Sequence, residues 1–432
     1  MKGSLGFAAF NFGDLIEIIF KDKKINGEFI KFDSDKKLVI IKLKSGYDIA
    51  LPSGEVSSAR LLKKGAGEMA MTGKSEHINQ SNPDLSLITT GGTISSKIDY
   101  KTGGVSPSVP SEYYFQITPG LKDFGKIEVN PVMNVLSENM KPSDWVKIAR
   151  AAYTSINNGA KGVIVTMGTD TMHYAAAAMS FLLNPLSVPI VFTGAQRSTD
   201  RGSTDASTNL LLSAMTASRW GGGESVICMH ATPNDDYNFI LRGNRARKMH
   251  SERRDAFRPI NTKPLGRVFL DGRIEAAPWF IEKAKETVLN PKIDDKVRMI
   301  VSYPGMKGEQ ITDAIREGVH GLILVGTGFG NLPLDDPSVR KALSKADSEG
   351  IPLAVTSQTI YGPTNRFVYS TMREISARKN IVYLGNMITE TALVKMMFVL
   401  GQTKKVEEVK RLMEKPLAGE SSDRNEVDDF LV

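Results

Sequence analysis

The chain has 432 residues, a net charge of +7, 41% hydrophobic and 24% charged residues, and a single cysteine. That length implies two or three domains with real cores, and one cysteine excludes an internal disulfide framework. No apolar run is long enough to span a bilayer, and the histidines are too scattered for a zinc site, so a soluble, cytoplasmic protein without a metal site is expected.

Asp14 and Glu17 break the first apolar stretch, which argues against a signal peptide. Residues 1–75 read as a small β-domain: alternating strands over 13–20, 28–32, 38–43 and 47–51, with turns expected at 24–27, 33–35 and 45–46. Short strands joined by tight turns suggest an SH3-like barrel. Lysines 21, 23, 24, 36, 37, 42, 44, 63 and 64 could face RNA or a partner chain, or simply form a solvated exterior with matching acids. Residues 65–83 are polar and turn-rich, a linker.

From residue 84 the pattern changes to strands alternating with helices. Over 84–280, strands are expected at 85–90, 161–166, 188–193 and 225–229, with helices at 171–183 and 204–219. This βαβ alternation predicts an α/β domain with a mostly parallel sheet, whose ligands bind beyond the carboxyl ends of the strands. Cys228 reads as strand filling. A second α/β domain spans 296–415, and the acidic tail 416–432 has the composition of a disordered segment.

Two turns carry chemistry. In Thr90-Gly91-Gly92-Thr93-Ile94 a buried strand breaks on paired glycines and a hydroxyl follows at once. In Gly168-Thr169-Asp170-Thr171 a second strand of the same sheet ends in glycine, then Thr169 and Asp170. Asp170 could cap the next helix, but capping does not explain two Gly-Thr turns at one sheet edge.

The two turns together resemble the paired signatures of bacterial-type L-asparaginases, and Lys248 falls where that family keeps an active-site lysine. The resemblance runs from about residue 84 to 410 and implies an asparaginase-like two-domain core. A closer likeness is to the D subunits of archaeal glutamyl-tRNA(Gln) amidotransferases. It rests on the extra N-terminal β-domain, the basic run Arg242-Gly243-Asn244-Arg245-Ala246-Arg247-Lys248-Met249-His250, and Val368-Tyr369-Ser370-Thr371 after Tyr361-Gly362-Pro363.

That resemblance implies a glutamine-hydrolysing subunit that passes ammonia to a partner E subunit, which uses ATP and magnesium to convert Glu-tRNA(Gln) to Gln-tRNA(Gln). This chain itself would need no cofactor. Thr93, Thr169, Asp170 and Lys248 would be catalytic: a threonine forms an acyl-enzyme and Lys248, in its neutral form, relays a proton through Thr169. Which threonine attacks first stays open. Ser137 and Glu138, with Asp170, would hold the substrate's α-carboxylate and ammonium. Asn331, in Gly326-Thr327-Gly328-Phe329-Gly330-Asn331, would reach the site of a second copy, implying a homodimer within a heterotetramer. Met167 stands where asparaginases usually carry histidine, and Tyr100 is the sole candidate for their lid tyrosine, at a shifted spacing. A stand-alone L-asparaginase, or a scaffold with a dead site, are the competing readings.

Overall fold

A computed structural model describes residues 7–11, 13–43, 48–64, 82–92, 94, 96–98, 105–107, 112–199 and 204–431. The expected linker therefore lies almost wholly outside the described residues, as do Thr93 and Tyr100.

The N-terminal unit is a five-stranded antiparallel sheet: β1 (Leu15–Phe20), β2 (Lys23–Asp33), β3 (Leu38–Leu43), β4 (Asp48–Pro52) and β5 (Val56–Lys63), in the order β4-β3-β2-β1-β5. Ile16, Ile18, Phe29, Val39, Ile41, Leu51 and Val56 form its core. The first turn sits earlier than expected. Lys21 and Asp22 both adopt positive φ, 48° and 62°, a two-residue reversal that matches strand twist, so residues 24–27 are strand. β5 has mostly exposed side chains, which is why its weak apolar pattern gave no strand signal. Glu17 is ion-paired to Lys24 and Arg60, and Glu55 to Lys21. Of the nine lysines, Lys21 and Lys24 thus have acidic partners within the unit.

The next domain contains β6 (Leu85–Thr89), the ribbon β7 (Ser96–Ile98) and β8 (Val105–Pro107), α1 (Glu112–Ile117), β9 (Ile127–Pro131), α2 (Pro142–Asn157), β10 (Val163–Thr166), α3 (Met172–Leu182), β11 (Ile190–Thr193), α4 (Ala206–Arg219), β12 (Ser225–His230), β13 (Tyr237–Arg242), β14 (Ala246–Lys248), β15 (Phe257–Pro259), β16 (Gly266–Phe269) and β17 (Ile274–Ala276). One eight-stranded sheet runs β17-β16-β13-β12-β11-β10-β6-β9. Its β9, β6, β10, β11 and β12 are parallel. The expected mostly parallel sheet is present, extended at one edge by β13, β16 and β17, which add antiparallel. Along β10, Val163 and Val165 join the core under α2 and α3, while Ile164 joins the core under α4. Burial on both faces explains why these strands read as unbroken apolar runs.

The last domain is a four-stranded parallel sheet, β18 (Val297–Val301), β19 (Gly321–Gly326), β20 (Leu353–Ser357) and β21 (Ile381–Tyr383), with α5 (Glu309–Arg316), α6 (Pro337–Ser348), α7 (Ser370–Ser376), α8 (Thr389–Gln402) and α9 (Val406–Glu414). Buried side chains of α3 and α8 belong to one continuous core, and the Phe181 and Phe398 rings lie 5.8 Å apart. The two α/β domains are thus welded together. The tail is a correction. Residues 416–431 are not a detached, disordered segment: although mostly exposed, they are anchored by Glu420, fully buried against Lys395 at 2.6 Å, and by Phe430, which packs edge-on against Tyr361. Charge composition misleads there because Glu420 and Asp428 have built-in partners in Lys395 and Lys263. Among the described residues no helix is long and apolar enough to cross a membrane.

Candidate active site

The parallel strands end side by side, stitched by Thr90 N–H to the Thr166 carbonyl (3.0 Å) and Met167 N–H to the Thr193 carbonyl (3.1 Å). Beyond these ends the chain turns so tightly that only glycine fits. Gly92 has φ +84°, and a Cβ there would collide with the Gly168 backbone. A Cβ on Gly168 would come within 2.7 Å of the Ser137 side chain, and one on Gly194 within 2.6 Å of the Met167 carbonyl. Three loops therefore converge on one point, and residue 93 follows Gly92 directly in the chain.

Thr169 and Lys248 meet there. Lys248 Nζ donates to Thr169 Oγ1 at 2.8 Å and to Asp170 Oδ1 at 2.7 Å. Thr169 is 6% exposed and the Lys248 side chain 10%, whereas the Asp170 side chain is 63% exposed. The lysine is thus shielded beside a hydroxyl, with a carboxylate facing outward. Asp170 does not cap α3; the cap residue is Thr171, and its hydroxyl donates to the Ser137 carbonyl at 2.7 Å. Ser137 is buried in a 3-10 turn against Gly168, and Glu138 is exposed beside it.

So the structure brings Thr169, Asp170, Lys248 and Ser137 together. Glu138 lies at the rim. Asn331 stays in its own loop after β19, its amide donating to the Thr327 carbonyl at 3.3 Å. Among the described residues no cluster of histidine, cysteine, aspartate or glutamate could hold a metal ion. Met167 is fully buried in the core.

Sequence reasoning missed three neighbours. Gln196 Oε1 lies 3.5 Å from Thr169 Oγ1, held by a loop whose backbone N–H groups donate to buried Asp205. His173, one turn beyond Asp170, is buried; desolvation first, then the charges of Arg247 and Lys248, push its imidazole down to about 3. Glu390, from the second domain, pairs with Arg247 at 3.1 Å. Gln196 carried a signal, since it follows a strand-ending glycine in the same sheet; Glu390 carried none, because its partner is 143 positions away (390 − 247).

Comparison with known proteins fits this geometry. Residues 84–279 match the asparaginase N-terminal family and residues 296–413 the glutaminase/asparaginase C-terminal domain. The chain is 39% identical to the D subunit of glutamyl-tRNA(Gln) amidotransferase from Methanothermobacter thermautotrophicus, over 97% of this chain and 96% of the relative. It is 36% identical to the protein of that name from Sulfolobus acidocaldarius, over 94% of this chain and 91% of the relative. The chain belongs to the family of glutamyl-tRNA(Gln) amidotransferase D subunits. Membership in that family accounts for the N-terminal unit as well as the core. Among solved structures, the thermostable L-asparaginase from Thermococcus kodakarensis superposes with a TM-score of 0.71 at 27% identity, covering 78% of this chain and 99% of that one. The asparaginase-like α/β fold is shared with it.

Proposed function

We propose that the chain hydrolyses the side-chain amide of glutamine and supplies the ammonia to a partner E subunit, which makes Gln-tRNA(Gln) from Glu-tRNA(Gln). The observation that carries the reading is the hydrogen bond from Lys248 to Thr169 beside the Gly92–Gly168 contact. A threonine hydroxyl is a weak nucleophile until a base takes its proton, and a neutral lysine within hydrogen-bond reach is such a base.

In this reading a threonine oxygen, Thr93 or Thr169, attacks the amide carbon. Its proton passes by way of Lys248 to the departing nitrogen, the carbon–nitrogen bond breaks, and ammonia leaves. Water then cleaves the ester to release glutamate and restore the hydroxyl. Backbone N–H groups near Gly92 and Thr169 take up the negative charge on the carbonyl oxygen. Asp170 binds the substrate ammonium and orients Lys248; Ser137 and Glu138 hold the α-carboxylate and ammonium. Tyr100 is the candidate lid residue.

The finer assignments belong to the same proposal. The N-terminal sheet is a small SH3-like barrel, supported by its strand order and by the 3-10 turn Ser53–Glu55 joining its last two strands. The chain works in the cytoplasm as a homodimer within a heterotetramer, Asn331 reaching the other copy's site. Exposed Phe329, beside Asn331, and Phe367 and Tyr369 support a covered face there. This chain needs no cofactor; ATP and magnesium serve the E subunit's step.

The test is ammonia release from glutamine and asparagine, by the chain alone and then with the E subunit, ATP, magnesium and glutamyl-tRNA. Glutamine hydrolysis should rise sharply in the full mixture, with Gln-tRNA formed. Lys248→Met, Thr169→Val or Thr93→Ala should each lower it by about 10³-fold, within the range for losing a positioned acid–base or nucleophilic group. Brisk asparagine hydrolysis by the chain alone, indifferent to the additions, would instead identify a stand-alone asparaginase.

A further inference from the structure

Lys248 is carried by a slender support. β14, which it ends, pairs with three-residue β15 in a two-stranded ribbon rather than with the eight-stranded sheet. The segment just before it is braced from elsewhere. Arg242 Nη1 donates to the Gly419 carbonyl at 3.5 Å, Asn244 Nδ2 to the Ala418 carbonyl at 2.8 Å, and Arg245 Nη1 to the Ser422 hydroxyl at 3.2 Å. From α8, the Thr391 hydroxyl donates to the Asn244 carbonyl at 2.8 Å.

The brace is itself anchored. The Glu420 carboxylate accepts from the Leu417 and Ala418 N–H groups and from Lys395 Nζ, with both charged side chains fully buried. Further on, Asn386 Nδ2 donates to Ser422 Oγ at 2.8 Å and to Asn425 Oδ1 at 2.6 Å, and Asn425 Nδ2 donates to Asn261 Oδ1 at 2.7 Å. The Asn261 carbonyl in turn accepts from Arg245. The path from Asn425 back to Arg245 is thus closed, and every link in it is a hydrogen bond.

We propose that residues 418–425 position Lys248, with Ser422 and Asn425 as positioning residues that set the lysine's distance to Thr169. The inference rests on Lys248 being the base proposed above. Its physical basis is that a displacement of about 1 Å at a reacting group costs on the order of a hundredfold in rate. A ribbon of two three-residue strands has little stiffness of its own to prevent one. The Ser422 hydroxyl is the crossing point: it accepts from Arg245 and Asn386 and donates to the Arg424 carbonyl at 3.1 Å.

The experiment compares full-length Ser422→Ala, Ser422→Thr and Asn425→Ala with the unsubstituted chain, in complex with its partner. Steady-state ammonia release is measured across pH, well below each variant's unfolding temperature. Ser422→Ala should lower kcat about tenfold with KM held within about twofold, the signature of a lost transition-state geometry, and should move the midpoint of the kcat–pH profile. Ser422→Thr, which keeps the hydroxyl, should restore both. A lower unfolding temperature with kcat and pH profile unchanged would overturn the proposal. Should Ser422→Ala not fold, Asn425→Ala at the margin of the network decides by the same readouts. Lys248→Met runs alongside: if it retains full activity, the lysine-base reading fails, whereas its inactivity together with a silent Ser422→Ala refutes the brace alone.

Discussion

His173 sits within the field of Lys248 and Arg247 and stays neutral because burial disfavours its charged form first and those cations second. Neutrality there keeps a further positive charge away from Lys248. The folded imidazole refuses a proton down to about pH 3, while the unfolded one accepts it from about 6.5. Unfolding therefore takes up a proton throughout that window, and stability falls as pH drops below 6.5. Between pH 7 and 5 the loss from this one group should be about 2 kcal/mol. Urea unfolding at the two pH values should show His173→Gln with a shallower pH dependence by about that amount; identical slopes would place the imidazole in contact with water. At this scale the sequence was legible where chemistry demands residue types in tight local order. Thr169 and Asp170 could be found because each lies next to a strand end, as does Gln196, and Ser137 through the family resemblance, whereas Glu390 matters only through long-range packing.

The elements that build the site are glycine turns on parallel strands, and their tolerance is close to nil. Gly168 touches Ser137 so closely that a methyl group would sit 2.7 Å from its Cβ and Oγ. Both groups are backed by folded chain, so the turn itself must move. Gly168→Ala should therefore lower amide hydrolysis by at least about a hundredfold through displaced Thr169, with the sheet still formed by circular dichroism; near-normal kcat would show that the loops can part without harm. The parallel strands were readable in the sequence because both faces are buried and their runs are uninterrupted. β16 and β17 were not, since Arg267 and Glu275 break the pattern on strands with exposed positions, and in β13 the buried Asn238 interrupts the apolar run. The turn at Lys21 and Asp22 was hidden for another reason: Asp22 tolerates positive φ, but Lys21 is not a usual choice and no glycine marks the reversal.

Across the whole molecule, the buried Lys395–Glu420 pair ties the tail to α8. Burial pulls the lysine's affinity for its proton down, and Glu420 opposes this. Removing one partner would strand a charge in the interior, so Glu420→Ala should cost about 3–5 kcal/mol, and Lys395→Met with Glu420→Leu should recover much of it. Chemical denaturation of the three chains checks this; equal midpoints would mean the pair is not sealed from water. The tail's role was illegible from composition, because acidity alone does not show whether a carboxylate meets water or a buried lysine.

The same brace has a bearing on how the chain is made. Asn244 and the carbonyl that holds it are 174 positions apart, and domains tend to fold in the order in which they leave the ribosome. The eight-stranded sheet and its glycine turns can therefore close while the segment that steadies Lys248 has yet to be synthesised. A nascent chain would carry the outline of the site without a fixed lysine, and the ability to release ammonia would arrive late in translation, after most of the fold was in place.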